Sequence, residues 1–246
     1  MPRPGKPGWR IEAAGDRCLI VEFGDRVDPA INRTVHALAE RLLDEALEGV
    51  TDVVPAFTTV AVHYRPEAVA LGASGKAEDP LPHARLSAAL GSILEAGVQA
   101  RDADQRTVEI PVCYGGEFGP DLDEVAAACG LSPAEVVALH GESPHVVYML
   151  GFAPGFPYMG GLDPRLARPR RSTPRVRIAA GTVAIAREQS AVYTLETPGG
   201  WNLIGRTPIA LFRPDADPPS LLRPGDRVRF VAISEADYRA LRAAKT

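Results

Sequence analysis

Apolar residues follow two rhythms along the first hundred positions. Arg10 to Phe23 reads as a strand region, with Cys18-Leu19-Ile20-Val21 at its apolar centre. The spacing then changes: Ile31, Val35, Leu38, Leu42, Leu43 and Leu47 recur at helical intervals. Asp28 can cap this helix, Pro29 sits where its missing N–H costs nothing, and Gly49 is the expected stop. Val50–Val54 and Thr58–Tyr64 predict two strands joined at Pro55-Ala56-Phe57. A polar loop at 72–82 and a second helix over roughly 83–98 lead to a strand at Thr107–Val112. The order βαββαβ over residues 10–112 predicts a split βαβ, ferredoxin-like sandwich.

The texture changes after Tyr114. Asp121 with Glu124 predicts one capping box, and Ser132-Pro133-Ala134-Glu135 predicts another with proline at the first helical position. Beyond His140, glycine and proline become dense and apolar runs are short: Val146–Gly151, Val183–Ala186, Val192–Leu195, Ile209–Phe212 and Val228–Ala232. Such punctuation argues for a compact β-barrel or sandwich. A last amphipathic helix is expected from Ser234 to Ala244. The expected class is α+β: a mobile leader at 1–9, an α/β domain at 10–106 and a β-barrel domain at 107–246. The length of 246 residues suits two domains.

Composition narrows the function. No apolar run reaches the roughly 20 residues of a membrane span, and no signal-like stretch follows Met1, so a cytoplasmic protein is expected. Cys18, Cys113 and Cys129 form neither a metal-spaced pair nor a disulfide framework. A formal net charge of -4 argues against nucleic acid. Of 27 basic residues only Lys6, Lys76 and Lys245 are lysine, and no GxxxxGK[ST] string occurs. An anion site here must use guanidinium forks or backbone N–H groups.

Three segments could carry chemistry. Gly151-Phe152-Ala153-Pro154-Gly155-Phe156-Pro157-Tyr158-Met159-Gly160-Gly161 cannot form a helix, and its glycines weaken a strand. It reads as a rigid loop whose aromatics wall a pocket or fill a barrel corner. Arg165, Arg168, Arg170, Arg171, Arg175 and Arg177 follow with no acidic residue between Asp163 and Glu188, an anion or partner surface or an exposed basic strand. In Thr197-Pro198-Gly199-Gly200-Trp201-Asn202, the tight turn presents an indole face to a planar ligand or to a barrel end. His140 is the best-placed acid–base candidate, with His145 weaker. Cys113 lacks an adjacent base, and no GxSxG or HExxH string is present.

Four strings, namely Pro111 to Leu122, the GFAPGFPYMGGL loop, Thr173-Pro174-Arg175 with Gly181 to Ile185, and TPGGWNLIGRTP, resemble the KipI / allophanate hydrolase subunit 1 family, nearest to its PxpB-type 5-oxoprolinase members. The resemblance is strong from about 107 to 232 and looser before. It implies a cyclophilin-like barrel after an α/β domain. It also implies an allophanate hydrolase subunit 2-type partner (PxpC), a PxpA-type third subunit, and ATP, with or without Mg, as co-substrate in opening 5-oxoproline, with no tightly bound cofactor. Allophanate or another urea derivative is the alternative substrate, and inhibition of a histidine kinase the non-catalytic alternative. The family pattern falls on His140, Phe152, Pro154, Gly155, Phe156, Arg175, Gly181, Gln189, Tyr193, Pro198, Gly199, Gly200, Trp201 and Arg206, and the arginine run adds Arg170 and Arg177. Two departures stand out: Ala179, where many members carry Pro, and Arg187-Glu188, where a small or Gly-containing pair is usual.

Overall fold

The stretch from Arg10 to Phe23 is a hairpin, because the chain reverses at Ala14–Arg17 with Gly15 at φ +76 and the Ala14 N–H bonded to the Cys18 carbonyl. Its arms, β1 (Arg10–Ala13) and β2 (Cys18–Glu22), pair antiparallel. The structure, a computed structural model, describes residues 8–69, 79–98 and 106–244. Most of the expected 72–82 loop and of the 1–9 leader lies outside the described residues. Trp9, assigned to that leader, packs against the core of the first of two compact units, Met1–Ala103 and Asp104–Thr246.

In the first unit, α1 (Pro29–Glu45) starts as expected, with the Asp28 carboxylate accepting from the Ala30 and Ile31 N–H groups. It buries Val35, Leu38 and Leu42. The helix ends before Gly49: Ala46 turns left-handed at φ +46 and bonds back to Leu42, and Leu43 falls off the buried stripe at 62% exposure. β3 (Val50–Pro55), β4 (Thr59–Tyr64) and α2 (Pro82–Glu95) follow. The sheet runs β1-β2-β4-β3, antiparallel throughout. The βαββαβ expectation is therefore corrected. The edge beside β2 that a final strand would take is filled by β1, and the strand expected at Thr107–Val112 belongs to the second unit.

That strand is β5 (Thr107–Tyr114). After it come α3 (Leu122–Cys129), α4 (Pro133–Glu142), β6 (His145–Leu150), β7 (Pro157–Gly160) and β8 (Arg175–Ile178). Next are β9 (Thr182–Ala186), β10 (Gln189–Val192), β11 (Thr197–Gly199), β12 (Asn202–Arg206), β13 (Arg227–Ala232) and α5 (Glu235–Ala243). Seven strands close a barrel in the order β10-β7-β6-β13-β5-β12-β9, while β8 and β11 form a separate ribbon. Only the β5–β13 pairing in the barrel is parallel. Val112, Met159, Ile185, Ile204 and Phe230 belong to its core.

Two strand expectations fail in the barrel. Ile209–Phe212 is no strand and contributes one bridge, Phe212 to Ser220. The Gly/Pro/aromatic segment, expected as loop throughout, contains β7. Proline opens that strand, where no ladder donor is lost, and Gly160 is required by packing: a Cβ there would lie 2.0 Å from the Tyr148 ring. The strand expected at Val192–Leu195 is displaced: β10 runs from Gln189 and ends at Val192, because Arg187-Glu188 makes a two-residue turn pairing Ala186 with Gln189. Arg187 sits at φ +53, the left-handed conformation that favours the glycine-containing pair usual in the resembling family.

Candidate functional site

The outer wall of the barrel carries a second apolar layer. Along β9, Val183 and Ile185 belong to the main core while Ala184 and Ala186 face away from it, as strand alternation requires. Together with Ala191 they form a wall of small side chains against which large rings can lie. Phe156, Tyr193 and Trp201 pack there, and Ile178 of the ribbon joins them. Phe156 is the hub, edge-on to Phe152 at 5.2 Å, Tyr158 at 5.0 Å, Tyr193 at 5.3 Å and Trp201 at 6.3 Å. Such pairs contribute about 0.5–1.5 kcal/mol each beyond burial. Gln189 shares the strand parity of Ala191 and Tyr193.

The rings named from sequence are thus together, but they fill one another's space instead of walling a hollow. Phe156, Tyr193 and Trp201 are all buried. Phe152 is the exception: it is 64% exposed and held at φ +67, a strained conformation for an aromatic residue. Gly155 is buried at the turn of the same loop. Burial pushes the Tyr193 hydroxyl up, while the Trp201 backbone N–H, Arg170 and Arg175 pull it back. Burial also raises the Tyr158 hydroxyl, against the nearby Arg170.

The glycine pair before Trp201 divides its work. A Cβ on Gly199 would lie 2.2 Å from the Tyr193 hydroxyl oxygen and 2.8 Å from Ile178, whereas on Gly200 it would meet nothing closer than 3.5 Å. Gly199→Ala is expected to cost about 1–3 kcal/mol by overpacking, and Gly200→Ala less than about 0.5 kcal/mol. Urea unfolding of both variants checks this; equal losses would contradict the assignment.

The arginine run splits into paired and unpaired members. Arg175 makes a two-pronged contact with Asp121 at 2.6 and 3.0 Å, and Arg171 reaches Asp121 at 3.3 Å and Glu124 at 2.8 Å. Asp121 is only 3% exposed and also accepts the Leu203 N–H at 2.7 Å. The expected Asp121–Glu124 capping box does not form: Asp121 makes no side-chain cap bond, because both carboxylates are engaged by arginine. The Ser132–Glu135 box does form. Arg177 pairs with Glu196 on the surface, and Arg165 with Asp163. Arg175 and Arg177 are thus held by carboxylates, which corrects their reading as free anion ligands. Arg170 has no ion pair among the described residues; its guanidinium lies 5.7 Å from the Trp201 ring centroid. Arg206 ends β12 opposite Thr182, at the other end of the strand from the Asn202–Ile185 pair beside Trp201, and its Nε is buried without a partner.

His140 lies elsewhere. Its ring is fully buried, with Nδ1 2.8 Å from the Tyr114 hydroxyl on β5 and Nε2 3.2 Å from the Ser190 hydroxyl on β10. Those strands are not neighbours in the barrel, so the imidazole braces its interior. Burial, then His145, depresses its basicity well below the ordinary value. A ring with no exposure and both nitrogens engaged is a strut, so its reading as the catalytic proton carrier is corrected. Sequence reasoning also missed three polar residues, Asn202, Ser172 and Thr173. Asn202 donates to the Pro169 and Ile185 carbonyls, and Ser172 and Thr173 join Arg168, Arg170 and Arg171 around a cavity of about 400 Å³ against α3. Only the Trp201-Asn202 adjacency hinted at it.

Comparison with known proteins places the chain. A family model described as "Carboxyltransferase domain, subdomain C and D" matches residues 9–222. The B subunit of 5-oxoprolinase from Bacillus subtilis (strain 168) is 47% identical over 234 residues, 94% of this chain and 96% of that protein. The protein of the same name from Escherichia coli O157:H7 is 42% identical over 227 residues, 92% and 97% of the two chains. Among solved structures, TTHA0988 aligns with a TM-score of 0.74 at 40% identity, over 89% of this chain but only 40% of its own longer chain. The chain belongs to the carboxyltransferase domain, subdomain C and D family, alongside these bacterial 5-oxoprolinase B subunits.

Proposed function

We propose that the chain is one subunit of a multi-subunit 5-oxoprolinase that opens 5-oxoproline to glutamate with ATP hydrolysis in the cytoplasm, inactive without its partners. The names of its relatives support the substrate. The observation that carries the site is Arg170, a cation with no ion pair among the described residues, set over Trp201 beside Tyr158 and Tyr193. The exposed, strained Phe152 gives this cluster an open side, which suits completion by a second polypeptide of the allophanate hydrolase subunit 2 type (PxpC), with a PxpA-type subunit as the third member.

The chemistry explains the need for ATP. Amide resonance makes a lactam a poor electrophile. Transfer of the γ-phosphoryl group to the lactam oxygen releases ADP and activates the carbon. Water adds there, the C–N bond breaks with the nitrogen taking a proton, and a second water frees phosphate from the resulting acyl phosphate. Arg170 would hold the developing negative charge, and the ring would be seated between the exposed Phe152 side and the partner subunit; positioning and charge stabilisation of this kind contribute several kcal/mol. Magnesium, which keeps most of its waters and favours phosphate oxygens, would arrive on the nucleotide.

The test is phosphate release from the reconstituted complex with and without 5-oxoproline. Arg170→Ala should lower kcat/KM about 10- to 100-fold, the usual effect of losing a hydrogen bond to a charged group, while the surface variant Arg177→Ala stays within about twofold. An assembled complex that releases phosphate with allophanate and not with 5-oxoproline would overturn the substrate. Capture of a histidine-kinase dimerisation domain without any turnover would overturn the enzymatic reading.

A further inference from the structure

The cavity beside Trp201 has a chemistry of its own. Segment 168–173 forms one side and α3 the other, enclosing about 400 Å³, within the range of small-ligand sites. Of its lining charges, Arg171 is engaged by Asp121 and Glu124. Arg168 and Arg170 have no ion pair among the described residues. Arg168 uses one Nη1 bond on the Ala128 carbonyl, and Arg170 turns toward the indole of Trp201, which leaves N–H donors on both. Arg168, Arg170 and Arg171 against Glu124 leave an excess of two positive charges among the lining residues. Ser172 and Thr173 add two exposed hydroxyls.

We infer that this cleft binds a phosphoryl group, held by Arg168 and Arg170 with Ser172 and Thr173 donating to its remaining oxygens. A carboxylate offers two oxygens in one plane and a single charge. Two guanidinium forks and two hydroxyls from different directions match a tetrahedral dianion with three terminal oxygens better. The arginines that bind are therefore the two that form no ion pair among the described residues, while Arg171 and Arg175, held by Asp121 and Glu124, support the wall behind them. The binding inference rests on the proposed ATP-dependent reaction only for the source of the phosphoryl group, either orthophosphate or a nucleotide.

The test uses the full chain alone, without partner subunits, titrated calorimetrically with sodium phosphate, sodium acetate, ADP and ATP at matched ionic strength. Saturable phosphate binding at least tenfold tighter than acetate is expected. Arg168→Ala and Arg170→Ala should each weaken it roughly tenfold or more, the scale of one lost charge-assisted bond, with Arg177→Ala unchanged. The gentler pair Ser172→Ala with Thr173→Val, on exposed positions, should weaken it about threefold or more while leaving thermal unfolding unaltered. ATP or ADP binding more tightly than orthophosphate identifies a nucleotide as the source; the reverse order identifies free phosphate. Equal binding of phosphate and acetate, absence of saturation, or unchanged binding in both arginine variants would overturn the inference. Because this binding needs no lactam turnover, absence of saturable phosphate binding by a parent chain that still supports 5-oxoproline-dependent activity in the complex would defeat the cleft assignment and leave the proposed reaction standing.

Discussion

Asp121→Ala should lower the unfolding free energy of the barrel unit by about 3 kcal/mol, the lower end of what breaking a buried ion pair costs. Two groups lose their acceptor at once, the Arg175 fork and the Leu203 backbone N–H, while the Arg171 Nη1 keeps only Glu124. The arginines are about 30% exposed and can rehydrate, which holds the cost down. The Leu203 N–H is buried and cannot, so one orphaned donor accounts for about 1–3 kcal/mol by itself. Asp121→Asn keeps an acceptor for Leu203 and should lose roughly half as much. The carboxylate joins the start of α3, the ribbon strand β8 and barrel strand β12, two residues past Trp201. Its loss should therefore alter the near-ultraviolet circular dichroism of the aromatic cluster as well as the midpoint in urea. A stability within about 0.5 kcal/mol of the parent, with unchanged aromatic dichroism, would show that the two arginines hold the ribbon by other means.

Asp121 also shows where sequence reasoning stops. Its spacing to Glu124 fits a capping box, and local spacing carries no trace of partners 50 and 54 residues downstream. Features built from neighbouring residues were legible: the Asp28 cap, the Ser132–Glu135 box, the aromatic strings and the short-strand texture of the second unit. Features set by distant packing were not. Gly160 reads as a strand breaker until the Tyr148 ring is found lying across it. Arg10 to Phe23 reads as one strand region because its apolar centre, Cys18 to Val21, dominates and only Gly15-Asp16 marks the turn inside it. The arginine run reads as six equivalent cations, yet which of them stay unpaired depends on where Asp121, Glu124 and Glu196 fall in space. His140, picked for lying just before the Gly/Pro/aromatic loop, faces the barrel interior because α4 packs on β13, where its ring lies 4.5 Å from that of Phe230.

That histidine and its neighbour should make the barrel unit acid-labile at an unusually mild pH. His145 is fully buried; its Nε2 donates to the His140 carbonyl at 2.9 Å, and its Nδ1 has no partner. Burial lowers its pKa to about 4, and His140 is depressed in the same way. Both rings are neutral in the folded chain, while in the unfolded chain each takes up a proton near pH 6.5. The unfolded state then binds more protons, so the stability these groups provide is complete above about pH 6.5 and drains as pH falls toward 4. His145 alone should cost about 2 kcal/mol between pH 6.5 and pH 5, at 1.4 kcal/mol per pH unit, with His140 adding in the same direction. Carboxylates act lower: the stability from Asp163, held near 2 by Arg165, is present above the ordinary carboxylate range and is lost only as pH falls from there toward 2. Urea unfolding at pH 7.5, 6.0 and 5.0 should show this slope, and His145→Gln, which keeps a donor for the His140 carbonyl, should flatten it by the His145 share. Parallel slopes in the parent and the variant would mean that the buried imidazole is not what resists the proton.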